Sequence, residues 1–253
     1  MKKINRFVLL LIVMVLIPDY LMAEEVTFSN SAAKKIKTII LNPGHGGYDT
    51  GVIGVSGTNE KTVTLKLCQL IKKDLSGDYR VLLTRNGDFE MNSQERCGFA
   101  DRENGDLFIS IHTGGAFSRS FNEMAVFYDD RKTVISDETK NTSEQWSENW
   151  DALHGKYEEE SRSFGGILLT NLNAMLSKID KFDDGYRKTT QMNIYGAPLF
   201  ALNGCNMPGV ILEIGRLSTP YFETVINNEE KLLFFADAVC DAIKDYFKKS
   251  SDK

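Results

Sequence analysis

Histidine is scarce in this chain. Only His45, His112 and His154 occur in 253 residues, so a site built on imidazole has few members to draw on. Cysteine is nearly as rare, and none of Cys68, Cys97, Cys205 and Cys240 forms a C-x-x-C pair. That spacing argues against a zinc site made of thiolates. Cys68 and Cys240 fall inside amphipathic helical patterns. The expectation is buried free thiols, with one disulfide as the alternative. No short unit repeats along the chain, so no repeat architecture is indicated. No run of like charge stands out either, and the formal net charge is −5. An acidic chain without a basic stripe is a poor nucleic-acid binder, and it offers no polybasic segment to anionic lipid.

Long apolar runs are also missing. The one unbroken stretch is Phe7 to Ile17, eleven residues, preceded by Lys2, Lys3 and Arg6 and broken by Pro18 and Asp19. It is too short to cross a bilayer comfortably. A positive start, an apolar middle and a small residue at Leu21-Met22-Ala23 predict a cleaved signal peptide over residues 1–23. An uncleaved N-terminal anchor is the alternative. Cleavage predicts export to the periplasm or the cell exterior, with no membrane span left afterwards. It removes three positive charges and one negative, taking the formal charge to −7. Residues 24–35 read as a short polar lead, and residues 36–249 as one domain.

Within that domain strands and helices alternate. Ile36–Leu41 is an apolar strand that runs into Asn42-Pro43-Gly44, a tight loop. Glu60–Leu75 places Val63, Leu67, Leu70 and Ile71 on one helical face. Arg80–Thr84 and Leu107–Ile111 read as strands, with Asn92 capping a helix from Ser93 to about Glu103 between them. Ala125–Tyr128, Pro198–Leu202 and Val210–Ile214 read as further strands. Phe164–Ile179 and Asn228–Phe247 read as amphipathic helices. Residues 129–163 are polar and read as an insertion holding a helix over Ser143–Glu160. The pattern predicts an α/β fold of three layers, α/β/α, around a largely parallel mixed sheet. Sites in such folds gather at the carboxyl ends of strands.

Three chemistry-bearing residues fall near such ends. His45 lies between glycines in Pro43-Gly44-His45-Gly46-Gly47, where the backbone can turn sharply. His112 ends Phe108-Ile109-Ser110-Ile111-His112. Glu213 sits in the apolar run Val210–Ile214, where a carboxylate without a partner is costly. Glu60 opens the helix after the glycine-rich loop. Two imidazoles and a carboxylate make a common catalytic zinc set that leaves a position for water. Each residue also has a plainer reading: a packed histidine, a helix-dipole glutamate or a salt-bridged core glutamate, perhaps with Arg216.

Pro43-Gly44-His45-Gly46-Gly47, Glu60-Lys61, Ser110-Ile111-His112 and Leu212-Glu213-Ile214-Gly215, in that order, resemble the motifs of the zinc-dependent N-acetylmuramoyl-L-alanine amidases of the amidase-3 type. Thr84-Arg85, Glu95-Arg96 and Asn206-Met207-Pro208 are similar to that family's intervening segments, and the resemblance runs from about Ile36 to Phe247. It implies one Zn2+ ion held by His45, Glu60 and His112, a catalytic Glu213, and hydrolysis of the amide joining N-acetylmuramic acid to L-alanine in peptidoglycan. Alternatives are a zinc peptidase acting on wall peptides and an inactive wall-binding protein. The chain departs from the pattern at three points. Asn42 stands where Asp is usual, and a role in orienting His45 is expected for it. Arg216 follows Gly215 where Phe is common, and is a candidate for binding a stem-peptide carboxylate. Thr113 follows His112 where Ala is usual. The resemblance to those amidases of this type that carry a helix over the zinc further suggests that the insertion, around residues 140–160, covers the ion until an activator protein displaces it; a solvated surface helix is the alternative. Glu138, Glu144, Glu148, His154, Glu158, Glu159 and Glu160 are the candidates to cap the ion.

Overall fold

Strand β1, Thr38–Pro43, is buried along its whole length. The structure, a computed structural model, describes residues 36–114, 122–130, 155–179 and 190–251. The expected signal peptide and polar lead, and most of the insertion, lie outside them. Six strands form one sheet in the order β2-β1-β3-β6-β4-β5. They are β1, β2 Arg80–Leu83, β3 Leu107–Gly114, β4 Asn122–Asp129, β5 Thr190–Ala197 and β6 Gly209–Arg216. The first four in spatial order are parallel. β4 runs antiparallel to β6, and β5 follows β4 in parallel, so one edge of the sheet is reversed. Among the described residues five helices flank it: α1 Glu60–Leu75, α2 Ser93–Arg102, α3 Glu158–Ile179, α4 Pro220–Ile226 and α5 Glu229–Ser251.

The two-residue period of a strand divides its side chains between two faces. Ile39 and Leu41 of β1, Ile109 and Ile111 of β3, and Leu212 and Ile214 of β6 enter the larger core with Leu67 of α1, Phe164 of α3 and Phe235 of α5. Ile40 and Phe108 point the other way and pack with Ala100 of α2, Leu202 and Met207. Burying a side chain such as Phe108 or Phe235 contributes about 1.5–3 kcal/mol. The same alternation sends Asn42, Ser110, His112 and Glu213 to the second face, near the carboxyl ends of their strands. There the apolar cover stops and polar chemistry starts.

Several expectations are corrected. Pro198–Leu202 is not a strand: it ends in a short 3-10 turn at Phe200–Leu202, and the strand is Thr190–Ala197 just before it. β5 is an edge strand with polar Gln191 and Asn193, so it carries little apolar signal. α3 begins at Glu158, because three glutamates in a first turn suit the helix dipole. α4 was not anticipated, although Thr219 caps it and Pro220 occupies its first turn. The Asn92 cap is present as a full capping box with Glu95. Cys68 and Cys240 are free and buried. Cys97 and Cys205 are joined by a disulfide across 108 residues of sequence, contrary to the leading expectation. It ties α2 to the loop before β6.

Candidate metal centre

The loop after β1 turns back on itself. Gly46 and Asp49 exchange backbone hydrogen bonds of 2.9 and 3.2 Å. His45 adopts a left-handed backbone, φ 60°, which side-chain-bearing residues seldom take. Two buried arginines hold that conformation. The Arg85 guanidinium donates to the carbonyls of Pro43, Gly44 and Lys61 at 3.1, 2.7 and 2.8 Å. The Arg96 guanidinium donates to those of Pro43 and His45 at 2.8 and 2.9 Å. Burial disfavours the charge on both, yet an arginine stays protonated. These carbonyl contacts compensate. The sequence marked both residues only as parts of family-like segments.

His45, Glu60 and His112 converge. Their ligand atoms all lie within 4.8 Å of one another. Glu60 Oε1 is 3.1 Å from His45 Nε2 and 3.2 Å from His112 Nδ1. A tetrahedral zinc ion with bonds of about 2.0–2.1 Å places its ligands about 3.3 Å apart, the spacing that both Glu60–histidine contacts show. Glu60 is almost wholly buried. Its Oε1 accepts from the Thr113 amide at 2.8 Å and its Oε2 from the Val52 amide at 2.9 Å. Burial opposes its ionisation. The bonds from His112, His45 and the two amides outweigh that, and hold the carboxyl at about 2.

A second observation favours a cation here. His45 Nδ1 lies 2.7 Å from Asp49 Oδ2. An ionised carboxylate only accepts, so Nδ1 carries a proton. In the neutral ring Nε2 is then bare, and it faces the Glu60 oxygen at 3.1 Å. Two acceptors that close need a positive charge between them, a metal ion or a further proton. Burial lowers the pKa of His45, but its contacts with Glu60 and Asp49 outweigh burial and raise it.

Space for the ion comes from glycines. A Cβ on Gly44 would stand 2.4 Å from the His112 ring, and one on Gly51 2.5 Å from the His45 ring. A Cβ on Gly114 would stand 2.7 Å from Glu213 Oε2. Glu213 lies beside His112 in the β3–β6 register. Burial pushes its carboxyl above the ordinary value. The Glu60 and Glu123 charges push the same way, and His112 and Arg216 oppose them.

Arg216 is paired with Glu123 of β4. Glu123 also accepts from Asn193 Nδ2 and the Tyr195 hydroxyl of β5, both at 3.0 Å. Asn42 does not support His45. Its Nδ2 donates to Ser110 Oγ at 2.8 Å, and Ser110 Oγ is 3.0 Å from His112 Nε2. Glu158, Glu159 and Glu160 open α3, whose Ser161 hydroxyl accepts from the Gly209 amide at the start of β6. That is the opposite end of the strand from Glu213. Glu138, Glu144, Glu148 and His154 lie outside the described residues. Asp49, Ser110 and Arg96 were not singled out in the sequence as parts of the site. Their role depends on pairings that no local pattern announces.

The site can be set beside known proteins. A family profile, Amidase_3, described as N-acetylmuramoyl-L-alanine amidase, matches residues 39–245. N-acetylmuramoyl-L-alanine amidase AmiA of Escherichia coli (strain K12) is 26% identical over 243 residues, which covers 90% of this chain and 83% of AmiA. Among solved structures, the catalytic domain of the amidase CwlV from Bacillus (Paenibacillus) polymyxa var. colistinus aligns with a TM-score of 0.65 at 22% identity. It covers 84% of this chain and 99% of that one. CwlD of Clostridioides difficile, solved in complex with the GerS lipoprotein, aligns with a TM-score of 0.61 at 21% identity, covering 84% and 98%. At these identities the structural likeness speaks for the fold, and the profile match over most of the chain speaks for the family. The chain belongs to the Amidase_3 family of N-acetylmuramoyl-L-alanine amidases, hydrolases that act on peptidoglycan.

Proposed function

We propose that the chain cuts the amide between the lactyl group of N-acetylmuramic acid and the L-alanine of the stem peptide, using one zinc ion held by His45, Glu60 and His112. The observation that carries this reading is the convergence of His45 Nε2, His112 Nδ1 and Glu60 Oε1 next to Glu213. Bound there, zinc supplies a Lewis acid that polarises the scissile carbonyl and acidifies water. Asp49 keeps Nε2 of His45 bare and aimed inward. The Thr113 and Val52 amides keep the Glu60 carboxylate ionised and fixed. Glu213 takes a proton from the attacking water and later delivers one to the leaving amine nitrogen. A carboxyl whose pKa is raised by burial is suited to that exchange, because it holds a proton more readily than an exposed glutamate does.

Arg216, with Glu123, Asn193 and Tyr195, forms a polar wall that continues from Glu213 across β4 and β5. We assign this wall to the stem peptide, with the Arg216 guanidinium donating to a peptide carboxylate while it stays paired with Glu123. Export over the signal segment 1–23 brings the enzyme to its substrate in the periplasm or outside the cell. An activator protein that displaces a helix within residues 140–160 is the regulatory part of the proposal. Deleting those residues is expected to raise basal activity, and unchanged activity discards that part.

Mass spectrometry of purified peptidoglycan after digestion tests the chemistry. The expected product is free stem peptide with an intact L-alanine amino terminus, lost when a chelator is present. Fragments cut inside the stem peptide instead would make the chain a peptidase.

A further inference from the structure

The two histidines of the metal centre are held by hydrogen-bond chains of opposite polarity. On His45 the partner of the outer nitrogen is the Asp49 carboxylate, an acceptor, so the proton sits on the outer nitrogen and the inner one is bare. On His112 the outer nitrogen is Nε2, and its partner is Ser110 Oγ at 3.0 Å. What Ser110 can offer is decided two residues further out.

Arg96 Nη1 lies 2.6 Å from one amide atom of Asn42, and the Thr84 hydroxyl lies 2.6 Å from the same atom. A guanidinium has no acceptor, so that atom is the Asn42 oxygen, and the amide cannot be flipped. Its NH2 group is therefore turned to Ser110 Oγ, at 2.8 Å, as a donor. Ser110 is buried, and His112 Nε2 is the remaining partner of its hydroxyl among the described residues. The hydroxyl proton points at Nε2. The neutral ring then carries its own proton on Nδ1, where it faces Glu60 Oε1 at 3.2 Å.

We propose that Asn42, clamped by Arg96, is a positioning residue that weakens zinc binding, because it fixes Ser110 as a donor to His112 and so leaves the proton on the nitrogen that faces the ion. This rests on the zinc reading of the site. Zinc at Nδ1 requires that nitrogen bare and Nε2 protonated: one proton leaves Nδ1 for solvent and another is taken up at Nε2, so the ring stays neutral. Nε2–H then donates to Ser110 Oγ. The serine proton must turn away from the ring, towards an Asn42 group that is itself a donor. A buried hydroxyl loses its acceptor when the metal binds, a cost that opposes binding. A carboxylate at position 42 would remove the conflict. One oxygen would accept from Arg96 and Thr84, and the other from Ser110. The chain would then run outward from His112 as it does from His45.

Nitrogen-15 NMR of histidine-labelled, metal-free protein reads the tautomer directly, with His45→Gln and His154→Gln used to assign the signals. The expected result is Nδ1–H on His112 in the wild type and a raised Nε2–H population in Asn42→Asp, with Glu60 Oε1 still opposing a bare Nδ1. A wild-type His112 already in the Nε2–H form overturns the proposal. Zinc competition against a chromogenic chelator gives the second measurement. Asn42→Asp is expected to bind zinc about 10–100-fold more tightly, the range in which such outer partners act. In a Ser110→Ala background the same substitution is expected to gain less than threefold. Equal or weaker binding by a folded Asn42→Asp protein, or a full gain without Ser110, overturns the proposal. If Asn42→Asp does not fold, the wild-type spectrum still decides, together with Ser110→Ala, which is expected to keep Nδ1–H opposite Glu60 Oε1 but with a larger Nε2–H population than the wild type. A wild type that binds no zinc at all sinks the metal reading instead, while the spectrum continues to judge the hydrogen-bond chain.

Discussion

The two sides of the sheet meet the centre differently. On the side of β1, β3 and β6 the strands are parallel and mostly buried, and each delivers its polar residues to one end. His45, Glu60 and His112 there are held by backbone amides, a buried arginine and short side-chain chains. On the side of β4 and β5 the strands are reversed, β5 is half-buried, and they are joined to Arg216 of β6 through a salt bridge and hydrogen bonds among Arg216, Glu123, Asn193 and Tyr195. The first arrangement suits a task that tolerates no displacement. The second suits contact with a substrate of variable shape. On the proposed reading the closely held side carries the chemistry and the polar wall of β4 and β5 carries recognition.

Substitutions on each side can break or sharpen that contrast. The largest effect is expected from His112→Ala, which should abolish both zinc binding, read by metal analysis, and hydrolysis. Arg216→Ala should leave the bound zinc at one ion per chain. Next is Glu213→Gln, expected to lower kcat by about 10²–10⁴-fold while zinc is retained. Loss of zinc together with activity would show that Glu213 is structural. The wild-type pH profile follows from the same residue. The proposed base is active when ionised, and burial raises its pKa, so activity is expected to fall as pH drops through a value above the ordinary 4.5. Activity that holds undiminished below 4.5 contradicts this. On the other side, Arg216→Ala and Glu123→Gln are each expected to raise KM about tenfold with kcat changed less than threefold, measured on a soluble muropeptide. A fall in kcat with KM unchanged would move this pair from recognition to chemistry. The smallest effect on activity is expected from Cys97→Ala with Cys205→Ala. Stability should fall by about 2–4 kcal/mol, read by denaturant unfolding, while zinc affinity stays within threefold because the bond ties α2 and not the ligands themselves.

The same division explains what the sequence made legible. β1, β3 and β6 announce themselves by apolar runs, and the four residues His45, Glu60, His112 and Glu213 stand beside them at strand or helix ends. Neither feature needs knowledge of distant partners. β5 was misplaced because Gln191 and Asn193 on a half-buried edge strand do not produce an apolar alternation. Asn42 was assigned to the wrong histidine because proximity in sequence favours His45, three residues on. Strand register instead sets Asn42 beside Ser110, sixty-eight residues away. The pairing of Cys97 with Cys205 is hidden for the same reason: it depends on which loop passes over α2. Arg96 carries four hydrogen bonds whose acceptors are Asn42 and three backbone carbonyls, and backbone groups have no sequence signature.

Gly44, Gly51 and Gly114 give the centre a form set by omission. Each keeps a single carbon atom out of the space beside His112, His45, Glu60 or Glu213. Alanine, elsewhere the mildest of replacements, therefore becomes a severe one at these three addresses. A saturation scan of the chain should show them as sharp pits of intolerance even to the smallest change, whereas Gly77 and Gly166, where an added carbon meets nothing within 4 Å, should accept it far more readily.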